Sequence, residues 1–368
     1  MMLKRIAAVG LILAVLYCFS TFMSNYTYNT DFPSFYRAGK VVLDKDVPNT
    51  DVYEVDFVSN KYNIPEAFVH YRFSVFIAYI ISPLALLPYN TAKAVMISIN
   101  LSAYASSIII ILNLLKASGR WFLYPLAFSF LWMPFIHDIR FVQVNSLLLF
   151  LITLSVFFAS KKRPYIGGAI LGLAALFKVF PIAIAMVLGI KNWRVITSCA
   201  AVFGLALLIP GTKEWFSSFA YTPFLDKLYS IIYLTIKQYG IFYYAVYVSF
   251  IGGMTALTAY WCRECDYIFL TALAIPATLL TMPVIEYFHL VLLIFTYTVI
   301  LFLDTNNYNK MMAVISFIFV YLAGFFFPFS ELPNYIIPFG LVLLWIPLVR
   351  HGLNGLNAAG EIKSPGFQ

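Results

Sequence analysis

The residues in this sequence that could do chemistry are polar groups set between long apolar runs. Asp31 opens a stretch that also holds Tyr36, Arg37 and Lys40. Arg140, Gln143 and Asn145 lie together between two apolar segments, Lys178 interrupts another pair, and His289 follows Pro283 and Glu286 late in the chain. Ionisable groups at membrane depth are costly and usually mark a site. Asp31 could accept a proton, or it could cap the helix that starts near Pro33. Lys178 could hold an anion or snorkel to an interface. His289 suits an anion contact or a hydrogen bond between core helices. Gln143 and Asn145 could orient a hydroxyl-rich ligand or bridge helices. Arg37, Lys40 and Arg140 add cations, of which the Arg guanidinium presents a planar fork suited to an oxyanion.

What must position these groups is a membrane scaffold. Of the 368 residues, 62% are hydrophobic and 11% charged, and the mean hydropathy is +0.86. A soluble domain carries about a quarter charged residues, so there is too little polar residue here for an aqueous skin. The net charge of +8 is spread over short loops between apolar runs, which argues for orientation in a membrane and against nucleic acid. The aromatic fraction of 18% fits interfacial anchoring and sugar stacking equally.

The sequence predicts an all-α, polytopic helical bundle. Residues 6–24, behind Lys4 and Arg5, read as a retained first helix with a cytoplasmic amino terminus. Residues 25–70 form a long first extracytoplasmic loop holding seven of the 16 acidic residues. Within it, Phe32, Phe35, Tyr36, Gly39, Val42 and Leu43 share one helical face opposite Arg37, Lys40 and Asp44, which predicts an amphipathic helix along the bilayer surface. Further apolar segments follow at 72–88, 91–115, 121–136, 144–160, 165–177, 179–190, 195–211, 237–258, 266–284, 288–303, 311–328 and 335–349.

Placing the basic clusters at 116–120, 161–163, 191–194, 263, 310 and 350 in the cytoplasm requires that 72–88 not cross fully. It also requires that 165–190 form a hairpin turning at Lys178 to Pro181. The count is then about 12 membrane segments, a single transmembrane domain over 1–350 and a polar cytoplasmic tail over 351–368. Asp31, the 137–145 segment, Lys178 and His289 fall together on the extracytoplasmic side.

Two motifs are set aside. Asp44-Lys45-Asp46 matches the metal-binding Asp-x-Asp of soluble glycosyltransferases but lies in a loop already rich in acids. Cys262 and Cys265 form a Cys-x-x-Cys without a second pair to complete a zinc site or a soluble redox fold around it. No metal and no cofactor is expected.

A set of ordered motifs then points to a family. It comprises Thr30-Asp31-Phe32-Pro33-Ser34-Phe35-Tyr36-Arg37-Ala38-Gly39-Lys40, Pro83-Leu84-Ala85-Leu86-Leu87-Pro88, Arg140-Phe141-Val142-Gln143-Val144-Asn145, the Gly-rich run from Gly167 to Lys178-Val179-Phe180-Pro181, and Pro283 with His289. In order and spacing these resemble the GT-C membrane glycosyltransferases, and within them family 87, which includes polyprenyl-phosphate-mannose-dependent mannosyltransferases. Val142 departs from the family's usual Gly, Phe73-Ser74-Val75 from its Tyr-Pro-Pro, and the late His is shifted by about one residue.

The resemblance implies a GT-C fold and transfer of a hexose or pentose, such as mannose, from a polyprenyl-phosphate donor to a lipid or glycan acceptor. It also implies inversion at the anomeric carbon, a site on the outer face of the plasma membrane, and membrane lipids as surroundings. By position, Asp31 corresponds to the family's base. Lys178, Arg37, Lys40, Arg140 and His289, with Arg72, are candidates for the phosphate, and Gln143, Asn145 and Tyr36 for the sugar. A transporter or lipid flippase is the rival reading, but no internal repeat of the kind transporters show is found.

Overall fold

In the computed structural model the residues described are 31–48, 52–53, 64, 71, 73–212, 214–215, 241–282, 287–303, 307–326 and 333–357. The expected first helix at 6–24, most of the acidic loop, Arg72, the 216–240 loop, Pro283, Glu286 and the end of the tail lie outside them.

All regular structure among the described residues is helical. Helix α1 spans Phe32–Leu43, α2 Val75–Ala85, α3 Tyr89–Leu114, α4 Arg120–Ser129, α5 Met133–Phe141, α6 Asn145–Ser160, α7 Pro164–Phe177, α8 Pro181–Lys191 and α9 Trp193–Ala206. Then come α10 Ile241–Trp261, α11 Tyr267–Thr281, a 3₁₀ turn Tyr287–Leu292, α12 Leu293–Phe302, α13 Asn307–Phe326 and α14 Pro333–Asn357. Two stretches, Tyr89–Leu114 and Ile336–Leu353, are each long and apolar enough to cross a membrane; α4 and α5, bent by 48°, make a third if they form one span. Large apolar side chains such as Phe128, Leu205, Leu208 and Phe242 stay exposed. An aqueous protein would hide so many large apolar groups, whereas a lipid surround accommodates them.

Helix α2, within the segment 72–88, has 11 residues and spans roughly 16 Å, about half a hydrocarbon core. The expected hairpin forms. The α7 helix ends at Phe177, Lys178 takes an extended backbone, and α8 begins at Pro181, where the missing proline N–H costs nothing.

Close approach of glycines fixes the direction of these helices. A Cβ on Gly167 would meet the Ser155 carbonyl at 2.7 Å, and one on Gly172 would meet the Cys199 carbonyl at 2.7 Å. Gly168 rests in the same way on Val195 and Ser198, and Gly189 on Ile196. Thus α7 runs antiparallel to α6 and parallel to α9, and α8 carries the chain back from the end of α7 to the start of α9.

One expectation changes. Helix α1 forms where the pattern predicts it, but both its faces are covered. Arg37, assigned to the polar face, is 3% exposed, whereas Leu43, assigned to the apolar face, is 42% exposed. The cause is that α1 packs on α2, with Gly39 against Ala85 and the Ser82 backbone, and its aromatic residues meet Tyr89 of α3. A moment computed from spacing cannot register a second wall. At the other end, α14 continues through 351–357, so the start of the stretch read as a tail is helical.

Gly172→Ala is expected to cost about 1–3 kcal/mol by forcing α7 off α9. Gly204→Ala, where nothing lies within 4 Å of the added carbon, should be neutral or slightly stabilising. Thermal midpoints of the two variants in detergent decide the point; equal shifts would contradict the packing.

Candidate functional site

The site is built around the connection from α5 to α6. Helix α5 ends in a left-handed residue, Val142, at φ 53° and ψ 47°. The Val142 N–H donates to the Ile139 carbonyl at 3.2 Å and the Gln143 N–H to the Asp138 carbonyl at 2.9 Å. This pair of bonds is a Schellman closure, normally made with glycine. A β-branched residue there costs roughly 1–2 kcal/mol, which gives the family's usual Gly at this position a physical reason. Val142 is fully buried, so its packing offsets part of that cost.

The turn is locked by Asp138, which is fully buried. Its Oδ1 accepts the Asn145 side-chain amide at 2.8 Å and the Asn145 backbone N–H at 3.3 Å. Its Oδ2 accepts the Ser146 N–H at 2.9 Å and the Ser146 hydroxyl at 2.6 Å. The carboxylate thus caps α6 from outside the helix, where the helix dipole also favours negative charge. Asn145 is therefore a bridge between α5 and α6, one of the two readings its position allows.

With the turn fixed, Gln143 projects to Asp31. The Gln143 side-chain amide donates to Asp31 Oδ2, and the Gln143 carbonyl accepts the Asn100 side-chain amide at 2.5 Å. Asp31 is 3% exposed, and its N–H donates to the Phe141 carbonyl at 3.1 Å. Although it sits at the N-cap of α1, its carboxylate makes no capping bond. Its carbonyl accepts the Ser34 hydroxyl at 2.7 Å instead. The helix-capping reading of Asp31 therefore does not hold, and its carboxylate accepts from Gln143 instead.

A second cluster lies beside the first. The Lys178 ammonium contacts His289 Nε2, and its charge also acts on Asp138. His289 is buried in the 3₁₀ turn, which packs on α5 and is tied to it by the Trp132 indole N–H donating to the Leu290 carbonyl at 3.3 Å. The half-buried Lys178 thus directs its ammonium to a buried ring.

The remaining candidates fall elsewhere. Tyr36 gives its hydroxyl to the Leu87 carbonyl at 2.8 Å, and Lys40 lies over the Tyr36 ring at 5.5 Å. Lys40 is nine residues along α1 from Asp31, roughly 14 Å at the helical rise. Arg37 is buried in α1, and Arg140 is half-buried at the end of α5. The Asp44 carboxylate accepts the Asp46 N–H at 3.0 Å, a local turn that accounts for the Asp-x-Asp. Among the described residues no group of three or more His, Cys, Asp or Glu is arranged to hold a metal.

Asp138, Ser146 and Asn100 were not singled out by the sequence analysis. Asp138 was visible in principle as a carboxylate between apolar runs with two N-capping types seven and eight residues later. Lys93, buried on the face of α3 that carries Asn100, joins them.

The sequence profile of glycosyltransferase family 87 matches residues 71–323, more than half of the chain. The chain belongs to glycosyltransferase family 87. No curated protein and no solved structure matches significantly. The matched region contains Arg140, Gln143, Asn145, Lys178 and His289, while Asp31, Tyr36, Arg37 and Lys40 precede it. The structure joins the two parts at the contact between Asp31 and Gln143.

Asp138→Ala strips the acceptor from four donors and is expected to cost about 2–5 kcal/mol. Asp266→Ala, at an N-cap without a side-chain bond, should change stability by less than about 0.5 kcal/mol. Detergent unfolding curves of the two variants test this, and a near-neutral Asp138→Ala would remove the lock.

Proposed function

We propose that this glycosyltransferase moves a sugar from a polyprenyl-phosphate donor to an acceptor hydroxyl by direct displacement, with Asp31 as base. The sugar is mannose or another hexose or pentose, and the acceptor is a lipid or glycan. The observation that carries the reading is the buried Asp31 carboxylate, which accepts the side-chain amide of Gln143 just after α5, while the 3₁₀ turn that brings His289 to Lys178 packs on α5 itself.

In the step, the acceptor oxygen attacks the anomeric carbon and its proton passes to Asp31. The bond from that carbon to the phosphate oxygen breaks, and its electron pair leaves on the phosphate. Lys178 supplies a point charge to the departing oxygen, and His289 fixes the ammonium in place. Gln143 holds the carboxylate so that one oxygen faces the substrate. Arg37 and Arg140 are further cations for the phosphate.

The scaffold in this reading is a GT-C bundle of about 12 membrane segments, with the amino terminus in the cytoplasm and the site on the extracytoplasmic face of the plasma membrane.

Membranes carrying the protein, given a panel of radiolabelled polyprenyl-phosphate sugars, should transfer one of them. Asp31→Asn is expected to lower transfer by at least about 100-fold, the lower range for loss of a general base, with the protein still folded. A fully active variant would overturn the assignment. Lys178→Ala should weaken use of the donor more than use of the acceptor; equal effects on both would exclude phosphate binding by this residue.

A further inference from the structure

The Cys262 and Cys265 pair, which the glycosyl-transfer site leaves unused, lies in the turn between α10 and α11. It is at the end of α8 remote from Lys178: Lys191, the last residue of α8, donates to the Arg263 carbonyl at 2.8 Å. With 11 residues, α8 separates the two places by roughly 16 Å.

The backbone already holds the two cysteines at bridging distance. The Cys265 N–H donates to the Cys262 carbonyl at 2.8 Å. A turn of this kind keeps the first and fourth Cα atoms within about 7 Å, and a disulfide accepts Cα separations of roughly 4.4–6.8 Å. Cys262 is 5% exposed, with its sulfur 3.3 Å from the Gly352 carbonyl of α14. A Cβ on Gly352 would come within 2.9 Å of that sulfur, so the seat is tight. Cys265 is only partly buried, leaving it the reachable member.

The electrostatics divide the roles in the same way. The neighbouring Cys262, with the Lys191 charge and against burial, brings the Cys265 thiol down to about 7. The proximity of Cys265, together with burial, pushes the Cys262 thiol up. Cys265 is then the attacking sulfur, near the optimum for thiol exchange at neutral pH, and Cys262 is the resolving one.

We propose that Cys262 and Cys265 form a reversible dithiol–disulfide couple whose oxidant is a low-molecular-weight disulfide. The Cys265 thiolate attacks one sulfur of the small disulfide, whose S–S bond breaks and releases one small thiolate. Cys262 then loses its proton to water and attacks the Cys265 sulfur, expelling the second small thiolate. Two electrons pass from the protein dithiol to the small disulfide. Closure removes the Cys262 S–H from the Gly352 carbonyl, so oxidation is felt at α14.

The full-length protein in detergent is incubated with oxidised glutathione, and remaining thiols are then blocked with a maleimide. Peptide mass spectrometry should find a peptide with Cys262 joined to Cys265, lighter by two hydrogens and restored by dithiothreitol. In Cys262→Ser protein a glutathione adduct should instead persist on Cys265. A lasting adduct on Cys265 of the native protein, or maleimide on both cysteines after oxidation, would overturn the proposal. This result is independent of glycosyl transfer.

Discussion

The candidate site depends on one buried carboxylate, Asp138, whose oxygens are turned to the protein's own donors. Asp138 gathers four donors from Asn145 and Ser146, and in doing so starts α6 where α5 stops. A charge this deep is tolerable only when its oxygens are fully engaged. Because they are, the chain between the two helices can hold the left-handed Val142 and deliver Gln143 to Asp31. Without the lock, residues 140–145 would be an ordinary loop with many conformations, and the entropy of ordering them would fall on substrate binding.

The helices around this turn are set by a different force. In a membrane, apolar contact alone gives helices little reason to associate, and close backbone approach takes its place. Gly167, Gly168 and Gly172 let α7 lie against α6 and α9. That stack fixes the height at which α7 ends, and so the position of Lys178. The site therefore draws on two independent supports: a polar lock for Asp31 and Gln143, and small-residue packing for Lys178. They meet where the Lys178 charge reaches Asp138.

Much of this was legible before any coordinates. Hydropathy and motif order located α1 and the break at Lys178, and they singled out Asp31, Lys178 and His289, because apolar runs make isolated polar residues conspicuous. Asp138 and Asn100 escaped notice because their partners are distant in sequence or lie across a turn whose geometry spacing does not reveal. The covered polar face of α1 escaped for a related reason. A hydrophobic pattern reports which side of a helix prefers burial, while burial of Arg37 is decided by a second helix elsewhere in the chain. Val142 carried the opposite lesson, since its departure from glycine marked the residue whose backbone is left-handed.

The central claim is that one base and one cation carry out a one-step displacement. The most direct measurement is the anomeric configuration of the product by NMR, set against that of the polyprenyl-phosphate donor it came from. The account predicts inversion, since Asp31 takes the proton from the acceptor and no protein group attacks the sugar. Retention of configuration would require a covalent or two-step route and would contradict it.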